Sequence, residues 1–132
     1  MAEFSDLFNR GLAVRKEVLG TAHVDASLRN ASPFTADLQT LITEMAWGSV
    51  WSRPGLDRKT RSMLTIALLA ALGRHEELKL HIRATRNTGV SQEEVKEILL
   101  QTAIYAGIPA ANSAFHEAEL AYQQLGNEEK TP

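Results

Sequence analysis

The chain has no cysteine among its 132 residues. This excludes disulfides, zinc–thiolate sites, iron–sulfur clusters and thiol redox chemistry. It also has little net charge, −2, from 14 basic and 16 acidic residues, so there is no electrostatic case for a nucleic-acid partner. Its main apolar run, residues 63–72, is half of the roughly 20 residues needed to cross a bilayer. Residues 1–10 carry Glu3 and Asp6 and lack an apolar core of signal-peptide length. These absences lead to the expectation of a cytoplasmic protein with neither membrane nor nucleic acid as a partner. No phosphate loop, dinucleotide fingerprint or nucleophile elbow occurs. Strand alternation of useful length is missing as well.

What is present is helical periodicity, and the expected fold class is all-α. The length suits one domain, spanning 1–126 with 127–132 a polar tail, that can bury roughly 65–70% of its unfolded surface. About six helices are predicted. The first covers 4–19, with apolar residues at Phe4, Leu7, Phe8, Leu12 and Val18 near helical spacing, and Gly20 ends it. Residues 21–32 read as a polar loop, and Pro33 opens a helix over 34–50 as its first residue. Asp57 is an N-cap candidate for a helix over 58–72 that is apolar nearly all round from Met63 onward. A helix of that kind is buried on most sides, and in so small a domain a subunit interface is a natural place for it. Further helices follow over 76–87, from a Ser91–Glu94 capping box to about residue 105, and over 110–125 beyond the Gly107 and Pro109 break.

Ionisable groups beside an apolar stripe occur in the helix from Glu76. Leu78, Ile82 and Thr85 form its inward stripe, and His81 lies about 60° around from Leu78. Glu77 precedes His81 by one turn, the spacing at which side chains meet. A carboxylate beside an imidazole fixes its tautomer and raises its basicity, which suits proton transfer near neutral pH. Spacing alone favours an ordinary surface pair, and two metal ligands are a further reading, although no second such pair occurs. Arg53, Arg58, Arg61, Arg74, Arg83 and Arg86 cluster in sequence around the two central helices. Guanidinium groups grip carboxylates through two parallel hydrogen bonds, so several near one pocket would suit a polyanionic small substrate. Taken singly, each fits a solvated face, with Arg61 the best exception at the head of the apolar helix. His23 is an isolated loop histidine. Trp47, Trp51 and Tyr105 read as core or interface aromatics.

Several segments together carry a family resemblance. They are Arg15-Lys16-Glu17-Val18-Leu19-Gly20 with Ala22-His23-Val24-Asp25, Trp47-Gly48-Ser49-Val50-Trp51-Ser52-Arg53-Pro54-Gly55-Leu56, Thr60-Arg61-Ser62, His81-Ile82-Arg83-Ala84, Asn87-Thr88-Gly89-Val90 and Tyr105-Ala106-Gly107-Ile108-Pro109-Ala110-Ala111-Asn112. In this order and at this length the chain resembles the carboxymuconolactone decarboxylases of the alkylhydroperoxidase D-like superfamily. The peroxidase branch of that superfamily uses Cys-x-x-Cys-x-x-x-His. His81 is similar to its histidine, while Arg74 and Glu77 stand at the two cysteine positions, which excludes peroxidase chemistry. Many relatives carry a histidine where this chain has Gln101.

The resemblance implies an alkylhydroperoxidase D-like helical subunit in a homo-trimer or homo-hexamer. It implies cofactor-independent and metal-independent decarboxylation of 4-carboxymuconolactone, a small carboxylated lactone, to 3-oxoadipate enol-lactone and carbon dioxide in the protocatechuate branch of the β-ketoadipate pathway. It also implies His81 as proton donor with Glu77 orienting it, His23 as a second choice reaching in from another subunit, and Arg61, Arg74, Arg83 and Arg53 binding substrate carboxylates. The alternatives are a non-peroxidatic relative acting on another carboxylated lactone and a non-catalytic helical oligomer.

Overall fold

The computed structural model describes residues 4–130, with side chains through Glu128, and every regular element in it is helical. The elements are α1 (Asp6–Leu19), α2 (Thr21–Arg29), α3 (Ala36–Leu41) continuing as a π-helical segment (Ile42–Trp51), α4 (Arg58–Leu72), α5 (His75–Thr88), α6 (Gln92–Ala106) and α7 (Ile108–Lys130). The all-α expectation therefore holds for the described residues, with seven helices where about six were predicted. The outermost residues of the predicted domain and tail, 1–3 and 131–132, lie outside them. The chain forms two compact units, one through Arg58 and the other from Lys59 onward.

In the first unit, α1 packs along the π-helical segment through a stripe of Phe8, Gly11, Arg15 and Val18. Ser5 caps α1 by accepting the Phe8 N–H at 3.0 Å. The two helices approach closely at paired glycines. A Cβ on Gly11 would overlap the Thr43 carbonyl and lie 2.7 Å from the Gly48 nitrogen. Trp47 is buried and stacks on Trp51 at 4.7 Å between ring centroids.

Two expectations fail in this unit. Residues 21–32 are not a loop, since α2 occupies most of that stretch. Gly20, at φ 94°, is shared by both helices: its N–H donates to the Lys16 carbonyl at 2.9 Å and its own carbonyl accepts from Val24 at 3.2 Å. Burial of Val24 and a Lys16–Asp25 ion pair at 3.3 Å fasten α2 back onto α1. The polar composition hid this helix, which has one fully buried side chain and no side-chain cap. The other failure is Pro33, which does not open a helix. Ser32 and Thr35 exchange hydrogen bonds, the Ser32 N–H donating to Thr35 Oγ1 at 2.9 Å and the Thr35 N–H to the Ser32 carbonyl at 3.0 Å. That closed turn leaves Phe34 95% exposed and delays the helix to Ala36.

The second unit has its core among α4, α5, α6 and α7. Ile66 and Ala70 meet Leu78 and Ile82, Val95 and Leu99, and a row of small residues on α7, Ala114, Ala118 and Ala121. Those alanines recur at helical spacing and let α7 lie close to α5 and α6. The predicted inward stripe of α5 is buried as expected. By contrast, α4 is not buried all round within the chain. Ile66 and Ala70 face the core, while Leu64, Leu68 and Leu72 are 50–68% exposed on the other side. Gly107, at φ 104°, joins α6 to α7 as Gly20 joins α1 to α2, and α7 begins at Ile108 rather than 110. Pro109 sits in its first turn, where a missing N–H costs no helical bond. The helix then continues to Lys130, past the expected end near residue 125.

The capping box is present. The Glu94 N–H donates to Ser91 Oγ at 3.0 Å and the Ser91 N–H to Glu94 Oε1 at 2.9 Å. The Ser91 N–H, and then Lys59, hold the Glu94 carboxyl below its ordinary value. A depressed folded value means the contribution is in place above the ordinary carboxylate range and is lost as pH falls through the lowered one. Ser91→Ala removes the Oγ acceptor but keeps the backbone N–H to Glu94, and is expected to cost about 1 kcal/mol in urea unfolding at neutral pH.

Candidate active site

The corner between α4 and α5 sets the position of His81. The Gly73 N–H donates to the Ala70 carbonyl at 3.3 Å and the Arg74 N–H to the Leu69 carbonyl at 3.0 Å, with Gly73 left-handed at φ 71°. This pattern closes α4 and turns the chain directly into α5, whose first bond runs from the Leu78 N–H to the Arg74 carbonyl at 2.9 Å. Two turns on, His81 is 9% exposed. It heads a polar lane along the buried face of α5, with Thr85 and Thr88 at the following helical positions. Thr88 Oγ1 donates to Ser62 Oγ at 3.0 Å, and Ser62 is fully buried near the start of α4. The Thr85 hydroxyl satisfies itself on the Ile82 carbonyl. Tyr122 comes in from α7; burial pushes its phenol above the ordinary value, and the Thr85 hydroxyl offsets part of that rise.

The remaining predicted site residues of this unit differ in setting. Glu77 is exposed, one turn before the buried His81. Arg74 is exposed at the α4–α5 corner, and Arg61 is half-buried on α4 next to Ser62. Arg83 is paired with Glu128 of α7, which also takes Arg86 at 3.3 Å. His23 and Arg53 belong to the first unit. His23 is exposed on α2, its Nε2 3.5 Å from Ser27 Oγ, and Arg53 is exposed in the turn after the π-helical segment. Gln101 is exposed and lines an apolar groove of about 500 Å³ between α4 and α6, with Met63, Leu64, Leu68, Ile98 and Tyr105. No predicted catalytic or carboxylate-binding residue lines that groove.

Two features were missed in the sequence. The Ser62–Thr88 bond joins residues 26 apart, and no local pattern signals it. Arg15 was passed over among the arginines, yet it is only 5% exposed. The signal was available, since Phe8, Gly11, Arg15 and Val18 recur at helical spacing and place the arginine on the inward face of α1.

Residues 36–120 match the model of the carboxymuconolactone decarboxylase family. A protein of Acinetobacter baylyi named 4-carboxymuconolactone decarboxylase is 53% identical over 119 residues, covering 90% of this chain and 89% of its own. The nitrosuccinic acid decarboxylase npaB of Metarhizium robertsii is 51% identical over 108 residues, 82% of this chain and 76% of its own. An uncharacterized 15.0 kDa protein of Paracoccus denitrificans is 32% identical over 87 residues, 64% of this chain and 65% of its own. With a family match through α3 to α7 and identity above half along nearly the whole of a named decarboxylase, the chain belongs to the carboxymuconolactone decarboxylase family, as a carboxy-lyase.

Proposed function

We propose that the chain converts 4-carboxymuconolactone to 3-oxoadipate enol-lactone and carbon dioxide, as a step of the protocatechuate branch of the β-ketoadipate pathway. The observation that carries this reading is the 53% identity, over 90% of the chain, to the Acinetobacter protein of that name. The chemistry asks for little beyond positioned side chains. The departing carboxylate sits on a ring carbon conjugated through a double bond to the lactone carbonyl. When its C–C bond breaks, the electron pair moves through the ring to the carbonyl oxygen, giving a furanolate. A proton then returns to the ring carbon beside that carbonyl. The substrate is its own electron sink, so the reaction proceeds without an added cofactor or metal.

Three tasks remain for the protein. The dianion must be held, for which Arg61, Arg74, Arg83 and Arg53 are the candidates, Arg83 having to share or leave Glu128. The oxyanion needs aimed donors. The ring carbon needs a proton, assigned to His81, whose burial excludes competing water. Glu77 is the candidate orienting group and His23 the second proton donor. Assembly as a trimer or hexamer would cover the Leu64, Leu68 and Leu72 ridge, and would allow His23 of one subunit to serve another.

A second reading comes from the Metarhizium relative. A carboxylate on a nitro-bearing carbon can also leave its electrons on a built-in sink, the nitro group, before protonation. Parallel kinetics on 4-carboxymuconolactone and 2-nitrosuccinate separate the two. We expect kcat/KM at least about tenfold higher for the lactone. The reverse preference would establish the nitro acid, and turnover of neither by folded protein would remove both.

A further inference from the structure

Arg15 is a buried cation with very little around it to explain its burial. It is 5% exposed, on the face of α1 that meets the π-helical segment. Among the described residues its guanidinium makes one hydrogen bond, from Nη1 to the neutral Thr43 hydroxyl at 3.2 Å, and its buried Nε donates to nothing. Three carboxylates of the surrounding elements are engaged elsewhere: Glu17 by Arg58, Asp25 by Lys16 at 3.3 Å, and Glu44 by the Ser5 hydroxyl at 2.6 Å; Asp6 on α1 and Asp37 on α3 make no ion pair with Arg15. Burial lowers the Arg15 pKa, although a guanidinium stays charged at any physiological pH. Such a group is costly to fold around, and an apolar side chain of similar volume would serve packing better.

The surroundings are built to hold it in place. Thr43 Oγ1 accepts from Arg15 and donates to the Gln39 carbonyl at 2.7 Å, so the threonine is fixed from both sides. Gln39 lines a cleft of about 270 Å³ with Phe8 and Leu12, which lie two turns and one turn before Arg15 on α1. Arg15 itself lies behind that lining and is joined to it through Thr43 and Gln39. The Gln39 side-chain oxygen is likewise buried without a hydrogen bond, and an amide turned by half a rotation offers N–H there instead. A π-helical stretch of ten residues beside this arginine is itself rare, and such distortions concentrate at functional sites.

We infer that Arg15, held by Thr43, is a carboxylate-binding residue that takes one carboxylate of the dianionic substrate. The choice of substrate rests on the function proposed above; the carboxylate site rests on the burial and hydrogen bonding of Arg15. It is a pre-placed fork that a carboxylate can meet with parallel hydrogen bonds.

The test uses the full chain with Arg15→Met and Arg15→Lys, with succinate as a small dicarboxylate probe. Wild-type Tm should rise with succinate. In Arg15→Met that rise should vanish, KM for 4-carboxymuconolactone should increase about tenfold or more with a smaller change in kcat, and the ligand-free Tm should match or exceed wild type. Arg15→Lys keeps the charge but not the fork, so KM should rise and the succinate response weaken even if the methionine variant fails to fold. Unchanged KM and an unchanged succinate response in either folded variant would overturn the site, and a fall in ligand-free Tm with normal KM would make Arg15 a packing residue. Arg15-dependent stabilisation by succinate in a protein that does not turn over the lactone would leave the site standing and overturn the substrate.

Discussion

His81→Ala is expected to lower kcat for decarboxylation by about 100- to 10,000-fold, the range for removing a positioned general acid. KM should change far less, because the proposed grip on the substrate comes from arginines. The fold should survive, since His81 borders the aliphatic stripe of α5, while Leu78 and Ile82, at 1% and 0% exposure, carry the packing. Circular dichroism and a urea melt check that condition, and steady-state kinetics read the effect. Partial recovery of rate with added imidazole would point to a lost proton donor rather than a collapsed pocket. Near-normal kcat in a folded His81→Ala protein would remove His81 from the mechanism and shift attention to His23, in the first unit. Glu77→Gln is the natural companion. If an exposed Glu77 orients a buried His81, the effect should be smaller than that of His81→Ala and should appear in kcat and its pH profile.

Gly11→Ala should destabilise the chain by about 2 kcal/mol or more. The added methyl group meets the Thr43 carbonyl and the Gly48 backbone, and neither can swing aside as the end of a flexible side chain would. Relief requires α1 to lift from the π-helical segment along the stripe that buries Phe8, Arg15 and Val18. Helix propensity works the other way, since alanine is better than glycine inside a helix by up to about 1 kcal/mol, so the net loss is clash minus propensity. Gly126 supplies the control. It lies within α7 with open space where a Cβ would go, so Gly126→Ala should stabilise by about 0.5–1 kcal/mol. Opposite signs for the two glycines in urea unfolding would show that contact, not backbone freedom, keeps Gly11 a glycine.

Helices with strong punctuation were legible in the sequence. Residues 58–72 match α4 as predicted, because Gly73 and the polar first turn mark both ends. The Ser91 capping box fixes the start of α6, and the α5 stripe follows from period alone. Failures came where long-range contacts or short-range hydrogen bonds overrode composition. Helix α2 exists because Val24 is buried against the first unit and Lys16 reaches Asp25, facts that a polar segment does not advertise. The π-helical form of 42–51 has no local sequence mark comparable to a cap. For the site, helical spacing put His81 beside the core, and the structure has it buried. Spacing could not say that Glu77 would remain exposed or that Glu128, 45 residues on, would take Arg83. Arg15 is the opposite case: helical spacing puts it on the inward face with Phe8, Gly11 and Val18, although a charged side chain ordinarily belongs at the surface.

The central claim is that this carboxy-lyase acts on 4-carboxymuconolactone with the substrate as its own electron sink. The most direct measurement is turnover by protein dialysed against a chelator, with no cofactor added, following enol-lactone formation and carbon dioxide release together. The expected result is one carbon dioxide per enol-lactone at an undiminished rate. Folded protein that releases no carbon dioxide from the lactone, or does so only when a cofactor is supplied, would contradict it.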